Sequence, residues 1–271
     1  MADFFEQMCK VIADSGSQYT GIPANSPEVT GFFSEIPKVA AVPTKKAAMQ
    51  TPAMPAPAPA PAAAAVAIPA PQCNNCGGDF ATLEDIRNAV HTCRNCPLGS
   101  SRLNPVFGEG DPNARLMFIG EGPGRDEDIQ GRPFVGKAGM LLDKMIAAMQ
   151  FSRKEVYIAN IVKCRPPDNR VPTPEEAQCC IGYLKRQIEL VRPEVIVLLG
   201  ATAVKYLLNV TNGISRLRGR WLSYENIPVM ATFHPAFLLR QESAKRETWN
   251  DLQQVMARFG KYHRPNGVGR G

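Results

Sequence analysis

The sequence lacks any run of about 18 consecutive apolar residues, the length that suggests a membrane-spanning helix. Its start also lacks the basic residues, apolar stretch and small-residue cleavage site of a secretory signal peptide. These absences predict a cytoplasmic protein with no membrane partner. In a reducing compartment, closely spaced cysteines bind metals more often than they form disulfides. The 8 cysteines of the chain are therefore candidates for a metal centre.

A complete nucleotide-binding loop is absent as well. Residues 131–138, GRPFVGKA, follow the P-loop pattern up to its last position. There Ala138 replaces the Ser or Thr whose hydroxyl would ligate magnesium. The segment also does not directly follow a predicted strand, so we do not expect nucleotide hydrolysis.

What the chain does have is a basic balance, with a net charge of +6 over 271 residues. This balance is compatible with a polyanionic partner such as a nucleic acid. Two groups of basic residues stand close together in the sequence: Arg216, Arg218 and Arg220, then Arg240, Lys245 and Arg246. A solvated surface with no partner explains such groups equally well.

Composition divides the chain into four parts. Residues 1–37 form an N-terminal tail, in which residues 4–13 predict one short amphipathic helix that could act as a docking peptide. Residues 38–72 are dominated by Ala and Pro and predict an extended, semi-rigid linker. Residues 73–260 form the folded domain, and residues 261–271 form a basic C-terminal tail. No pattern indicates an obligate interface, so we expect a monomer.

Strand and helix patterns alternate through the folded domain. Buried strands are predicted at residues 115–119, 156–161, 195–199 and 229–233, and helices at 139–149, 174–191, 201–208 and 246–259. Thr173 and Pro174 suit the N-cap and the first position of the second helix. The order predicts an α/β fold, a three-layer α/β/α arrangement with a central, mostly parallel four-stranded sheet.

Polar motifs lie at the carboxyl ends of three of the predicted strands: Glu121 with its neighbouring glycines, Asn160, and His234. Ligands of parallel sheets bind at the carboxyl ends of the strands. We therefore expect these three residues to share one site.

The cysteines offer more thiols than one tetrahedral ion needs. Two CxxC pairs, Cys73/Cys76 and Cys93/Cys96, with sixteen residues between them, indicate a zinc ribbon when taken alone. Three more thiols come from Cys164 and the adjacent Cys179 and Cys180. The spacing leaves open which four act together and on which metal.

Four segments together resemble the family 4 uracil-DNA glycosylases, the iron-sulfur type. They are GEGPG at 120–124, RPFVG at 132–136, NIVKCRPP at 160–167 and HPAFLLR at 234–240. The resemblance covers about residues 93–259 and implies a uracil-DNA glycosylase-like fold. It implies an enzyme that flips uracil out of DNA, hydrolyses its N-glycosidic bond and releases free uracil, leaving an abasic site for base excision repair.

The resemblance also implies a [4Fe-4S] cluster with a structural role. Its ligands would be Cys93, Cys96, Cys164 and Cys180, and Cys179 would be a bystander. Four thiolates suit such a cluster.

Individual residues of the pocket match the family pattern. Phe134 would stack on the flipped uracil, and Gly122 belongs to the uracil-binding loop. Asn160 would bind the uracil edge because an amide both donates and accepts hydrogen bonds. Glu127 would lie against uracil C5 and exclude the methyl group of thymine.

The HPAFLLR segment supplies the remaining roles. His234 would donate to uracil O2 while negative charge develops on the departing base. Leu238, Leu239 and Arg240 would contact the DNA as wedge and phosphate-binding residues.

Two departures from related families affect the expected chemistry. The family 1 loop Gly-Gln-Asp-Pro-Tyr carries an Asp that orients water, and Gly122 stands at that position here. Glu121 is the best remaining carboxylate for this role, and we predict that it positions the water. The chain also lacks the Lys-Arg-Arg-Ile-His insertion with which a related group bonds covalently to the abasic sugar. We therefore predict a turnover enzyme.

Two other interpretations remain at this point. One is a non-catalytic, zinc-dependent nucleic-acid-binding module, in which Cys73, Cys76, Cys93 and Cys96 hold one ion. The other is an accessory domain like that of a phage polymerase, tethered by the Ala/Pro linker and compatible with activity. For the glycosylase, the N-terminal tail is a candidate binding segment for a repair or replication protein.

Overall fold

The structure is a computed structural model, and it describes residues 78–262. In chain order its elements are α1 (Leu83–Thr92), α2 (Leu98–Ser101), β1 (Glu109–Gly110), β2 (Leu116–Gly120), α3 (Arg125–Gln130), α4 (Lys137–Ala148), β3 (Tyr157–Asn160), α5 (Pro174–Val191), β4 (Val195–Leu199), α6 (Ala201–Leu208), α7 (Ile214–Leu217), β5 (Trp221–Tyr224), β6 (Ile227–Thr232), α8 (Pro235–Leu238) and α9 (Lys245–Arg258). The predicted tail helix, the Ala/Pro linker, Cys73, Cys76 and residues 263–271 lie outside the described residues.

The strands form one six-stranded sheet in the order β1-β3-β2-β4-β6-β5. The four central strands run parallel, and the two edge strands pair antiparallel to their neighbours. The prediction of a mostly parallel α/β sheet is confirmed, but its count of four strands is too low. Both edge strands were missed because β1 has two residues and β5 is only partly buried, so neither carries a buried apolar run.

The core divides into one apolar cluster on each face of the sheet. Along β2, Met117 and Ile119 belong to one cluster, and Leu116 and Phe118 belong to the other. Residues of α1 and α5 join the first cluster, and residues of α4 and α9 join the second. Since successive strand residues point to opposite faces, helices on both sides bury the whole strand, which is the predicted three-layer arrangement.

Helix α5 begins where its sequence signals place it. The Thr173 hydroxyl accepts from the Glu176 backbone N–H at 3.3 Å, and the Glu176 carboxylate accepts from the Thr173 N–H at 2.8 Å. This capping box, with Pro174 at the first helical position, defines the helix register. The register buries Cys180, which belongs to the cluster on the α1–α5 face.

The first group of basic residues is not a uniform surface. Arg218 donates through two nitrogens to the buried carboxylate of Asp251 on α9, at 2.6 and 3.1 Å. Arg216 and Arg220 are exposed. The alternating arginines are thus split between a structural ion pair and solvent.

Within residues 78–262, no helix combines the length and apolar character that crossing a bilayer requires.

Candidate active site

A cavity of about 600 Å³ opens at the carboxyl ends of the parallel strands. The segments that follow β2, β4 and β6 line it, together with the last residue of β3. Of the residues predicted from sequence, this cavity brings together Glu121, Gly122, Glu127, Phe134, Asn160, His234 and Arg240. The expectation of one shared site at the strand ends is confirmed.

Asn160 presents an unpaired acceptor in the cavity wall. Its residue is 2% exposed, and no donor among the described residues reaches its side-chain oxygen Oδ1. Its neighbour across the sheet is Gly120, where a Cβ atom would lie 2.5 Å from both Oδ1 and the Phe134 ring. A buried unpaired acceptor costs about 1–3 kcal/mol. A ligand N–H that bonds this oxygen removes that cost.

Phe134 is held in an unusual backbone conformation, with φ of 50°. Its ring centroid lies 5.7 Å from that of His234, and the planes are tilted by 31°. The Arg153 guanidinium donates to the carbonyl oxygens of Pro133 and Phe134. Below it, a Cβ on Gly139 would lie 2.0 Å from the Phe134 carbonyl oxygen, so that position must be glycine. Arg153 and Gly139 therefore fix the backbone of the Phe134 turn, and His234 lies beside the ring.

Glu127 uses its carboxylate to hold the loops of the site together. Oε1 accepts from the backbone N–H groups of Val135 and Gly136, both at 2.9 Å, and Oε2 accepts from that of Gly124 at 3.0 Å. The side chain thereby joins the loop after β2 to the Phe134 turn. Sequence reasoning placed Glu127 in the pocket but missed this role, which depends on backbone groups eight and nine positions away.

His234 is a neutral imidazole with a defined tautomer. Its Nδ1 accepts from the Ala236 backbone N–H at 3.1 Å, so the ring proton is on Nε2. Burial, with a smaller contribution from the charge of Arg240, lowers the His234 pKa to about 4, and Glu127 acts in the opposite direction. At neutral pH the ring is an uncharged donor.

Glu121 contacts a residue that the sequence analysis did not identify. Its Oε2 accepts a hydrogen bond of 2.5 Å from the Thr202 hydroxyl, and both residues line the cavity. Thr202 lies in the first turn of α6, directly after β4. Position at a strand end was its only sequence signal, and it carries no motif.

The predicted DNA contacts divide into two groups. Leu239 and Arg240 are exposed, and Leu239 has 46% of its surface accessible. Leu238 is 1% exposed and packs in the apolar cluster on the α4–α9 face, so its assignment as a DNA contact is wrong. The reason is that Leu238 lies three positions after Pro235 on the buried face of α8. Val171, exposed at the cavity rim, was missed by the sequence analysis.

A second, smaller cavity collects the predicted metal ligands. Cys93 and Cys96 line it together with Cys164 and Cys180, although the two halves of this set are far apart in sequence. All four are free cysteines. Cys179 also lines this cavity.

Polar hydrogens already point at two of the sulfurs. Arg102 donates to the Cys164 sulfur at 3.0 Å, and the Lys163 backbone N–H donates to the Cys180 sulfur at 3.2 Å. Burial raises the pKa of Cys96 and Cys164, and it raises the pKa of Cys180 to about 12. Thiols in such surroundings lose their protons when a cation binds, and N–H donors then stabilise the thiolates.

The donor set of this cavity consists of four free cysteine thiols. Within residues 78–262, no three Cys, His, Asp or Glu side chains converge closely enough to hold a single metal ion. Zinc keeps four sulfurs at about 2.3 Å from one centre. A four-iron cluster distributes its four thiolates over separate irons, so its ligand sulfurs lie further apart. Four free thiols lining one cavity match the donor set of such a cluster.

Comparisons with known proteins agree with this geometry. Residues 107–253 match the model of the uracil DNA glycosylase superfamily. A type-4 uracil-DNA glycosylase of Archaeoglobus fulgidus is 42% identical over 188 residues, which is 66% of this chain and 94% of the relative. One from Thermotoga maritima is 45% identical over 178 residues, or 64% of this chain and 88% of the relative. A DNA polymerase of Bacillus phage SP01 is 33% identical over 150 residues, which is 55% of this chain and 16% of the polymerase.

Proposed function

Because the chain belongs to the uracil-DNA glycosylase superfamily, we propose that it is a type-4 enzyme of DNA repair. It removes uracil from DNA by hydrolysing the N-glycosidic bond and leaves an abasic site. The observation that carries the proposal is the unpaired Asn160 oxygen, buried in a cavity wall beside Phe134 and His234.

Recognition follows from the hydrogen-bonding pattern of the base. Uracil presents an N3–H donor next to the O4 acceptor, and the Asn160 amide offers the matching acceptor and donor. Cytosine presents an acceptor at N3 and a donor at N4, which the same amide orientation mismatches. The flipped base stacks on Phe134, which offsets part of the cost of leaving the DNA stack. Glu127 holds the wall that faces C5.

Departure of the base requires stabilisation of its negative charge. The neutral His234 ring donates through Nε2 toward uracil O2, where charge develops as the bond breaks. Preorganised donors of this kind contribute about 10²–10³ in rate. Since Nδ1 is already engaged with Ala236, the ring does not need to reorient when uracil arrives.

Water attack on the sugar is assigned to Glu121. Its Oε2 is occupied by Thr202, and Oε1 remains available to orient a water molecule. The carboxylate also offsets the positive charge that develops on the sugar. Leu239, outside the cavity, fills the gap left by the flipped nucleotide, and Arg240, in the cavity lining, contacts phosphate.

Cys93, Cys96, Cys164 and Cys180 would hold a [4Fe-4S] cluster. When bound, that group links the segment before β1 to the loop after β3 and serves a structural role. The fit rests on the four free thiols in one cavity.

Single-turnover cleavage of a uracil-containing oligonucleotide tests the activity, with the same oligonucleotide carrying thymine or cytosine as the control. Purified protein should contain about four irons with sulfide and should release uracil from single strands or from G·U pairs. If protein with an intact cluster leaves both substrates uncut, the proposal is overturned. One zinc without iron would instead support the nucleic-acid-binding module.

A further inference from the structure

The corner between β4 and α6 contacts both residues assigned to the chemistry. Gly200 has φ of 91°, and a Cβ there would lie 3.0 Å from the Cβ of His234. Two residues further on, Thr202 bonds the Glu121 carboxylate. One tight turn therefore approaches His234 and Glu121, which come from different strands.

The Thr202 hydroxyl has an unusual hydrogen-bond partner. Threonine in the first turn of a helix commonly bonds a nearby backbone group. Here the hydroxyl donates to a carboxylate 81 positions away in sequence. Neither family motif nor sequence pattern assigns this residue a role.

We propose that Thr202 is a positioning residue for hydrolysis, a role that rests on the proposed function of Glu121. By holding Oε2, the hydroxyl restricts the rotation of the Glu121 side chain and keeps Oε1 in place for the attacking water. The water oxygen bonds to C1′ as the C1′–N1 bond breaks, and the bonding pair leaves with uracil. The proton of the water passes to Glu121. Misplacing a reacting group by about 1 Å lowers rates by about 10²-fold.

The substitution Thr202→Val tests the proposal, because valine keeps the shape and removes the hydroxyl. At saturating enzyme, the single-turnover rate should fall about 10- to 100-fold, with the dissociation constant for uracil-containing DNA within about twofold of wild type. Thr202→Ser, which retains the hydroxyl, should recover most of the rate. Thr211→Val, at an exposed position that does not line the cavity, serves as the matched control.

A double-mutant cycle with Glu121→Gln separates positioning from general structure. If Thr202 acts through Glu121, then Thr202→Val should cause little further loss in the Glu121→Gln background. Additive losses, or a wild-type rate in Thr202→Val, would overturn the inference. Near-full activity of Glu121→Gln would instead overturn the proposed role of Glu121. Iron content and the unfolding midpoint, measured for every variant, should match those of wild type, since a lower value would assign the loss to folding.

Discussion

The uracil cavity and the thiol site share one short segment, residues 160–164, yet they satisfy their polar groups in different ways. At its start, the Asn160 side chain keeps an acceptor that no described residue pairs. At its end, the Cys164 sulfur already receives a hydrogen bond from Arg102. The Asn160 oxygen can therefore accept a hydrogen bond from an incoming base, whereas a protein donor already stabilises the Cys164 sulfur.

Lys163 lies between the two sites and contacts both. It is fully buried, and burial lowers its pKa to about 8. Its Nζ donates to the Asn160 carbonyl oxygen at 3.0 Å and to Gln187 at 2.6 Å, while its backbone N–H bonds Cys180. Loss of the Cys180 sulfur should therefore disturb the cavity through Lys163. A change in the Asn160 side chain should leave the thiol site intact, because Lys163 bonds only the backbone of Asn160.

The largest effect is expected at Cys180. Cys180→Ala removes a proposed cluster ligand and leaves the buried Lys163 N–H without its acceptor, so iron and activity should both be lost. The adjacent Cys179→Ala should retain about four irons. Iron analysis of the two purified variants makes the comparison, and equal iron in both would contradict the ligand assignment.

Asn160→Asp should impair uracil binding in the cavity and leave the thiol site unchanged. A carboxylate cannot donate to uracil O4, and it adds charge to a buried wall, so uracil release should fall about 10³-fold. Iron content should stay at the wild-type level. Asn212→Asp, at an exposed position outside the cavity, is the control for added charge. An Asn160→Asp variant that has lost its iron would show that the thiol site depends on the integrity of the uracil cavity.

Gly120→Ala tests shape without changing any polar group. The new Cβ would meet Asn160 Oδ1 and the Phe134 ring, and overpacking of this size costs about 1–3 kcal/mol. We expect uracil release to slow about 10- to 100-fold. Gly213→Ala introduces the same atom where nothing lies within 4 Å and should match wild type. Equal rates for the two variants would mean that the cavity tolerates displacement of its wall.

The smallest expected effect is the contribution of His234 to the pH dependence of the free energy of unfolding. The folded-state pKa of about 4 lies below the ordinary 6.5, so unfolded chains take up a proton that the native state does not. Stability should therefore be full above pH 6.5 and should fall as the pH decreases, by about 2 kcal/mol at pH 5. His234→Asn keeps a side-chain acceptor at the start of the helix but has no group that titrates in this range. Its stability should therefore lack the decrease of about 2 kcal/mol between pH 6.5 and pH 5.

Denaturant unfolding of both proteins at pH 7.5 and pH 5 measures the difference, with iron content checked at each pH. Identical pH dependence in wild type and variant would show that His234 titrates normally in the native state.

Much of the fold was readable because its signals are local. Strand β4 and helices α5 and α6 have the predicted bounds, since buried apolar runs and the Thr173 cap act within a few residues. Helix α1 was missed, although its Thr82–Asp85 capping box was present in the sequence.

The site was only partly predictable, because several of its contacts arise from tertiary packing. The wall residues came from the family resemblance, and the cavity brings them together. The contact of Thr202 with Glu121 and the steric limit at Gly120 depend on which loops meet at the sheet edge. The burial of Leu238 depends on how α8 packs against the core.

The backbone of residues 160–164 fixes the separation between the uracil cavity and the thiol site. The N–H groups of Ile161 and Val162 bond the carbonyl oxygens of Gly120 and Glu121, and the Lys163 carbonyl oxygen accepts from Val106. An inserted or deleted residue here would shift Asn160 relative to Cys164, because the hydrogen-bonded backbone between them has no loop that could accommodate the change. Attempts to re-engineer base specificity should therefore keep this length and vary the rim around Val171 instead.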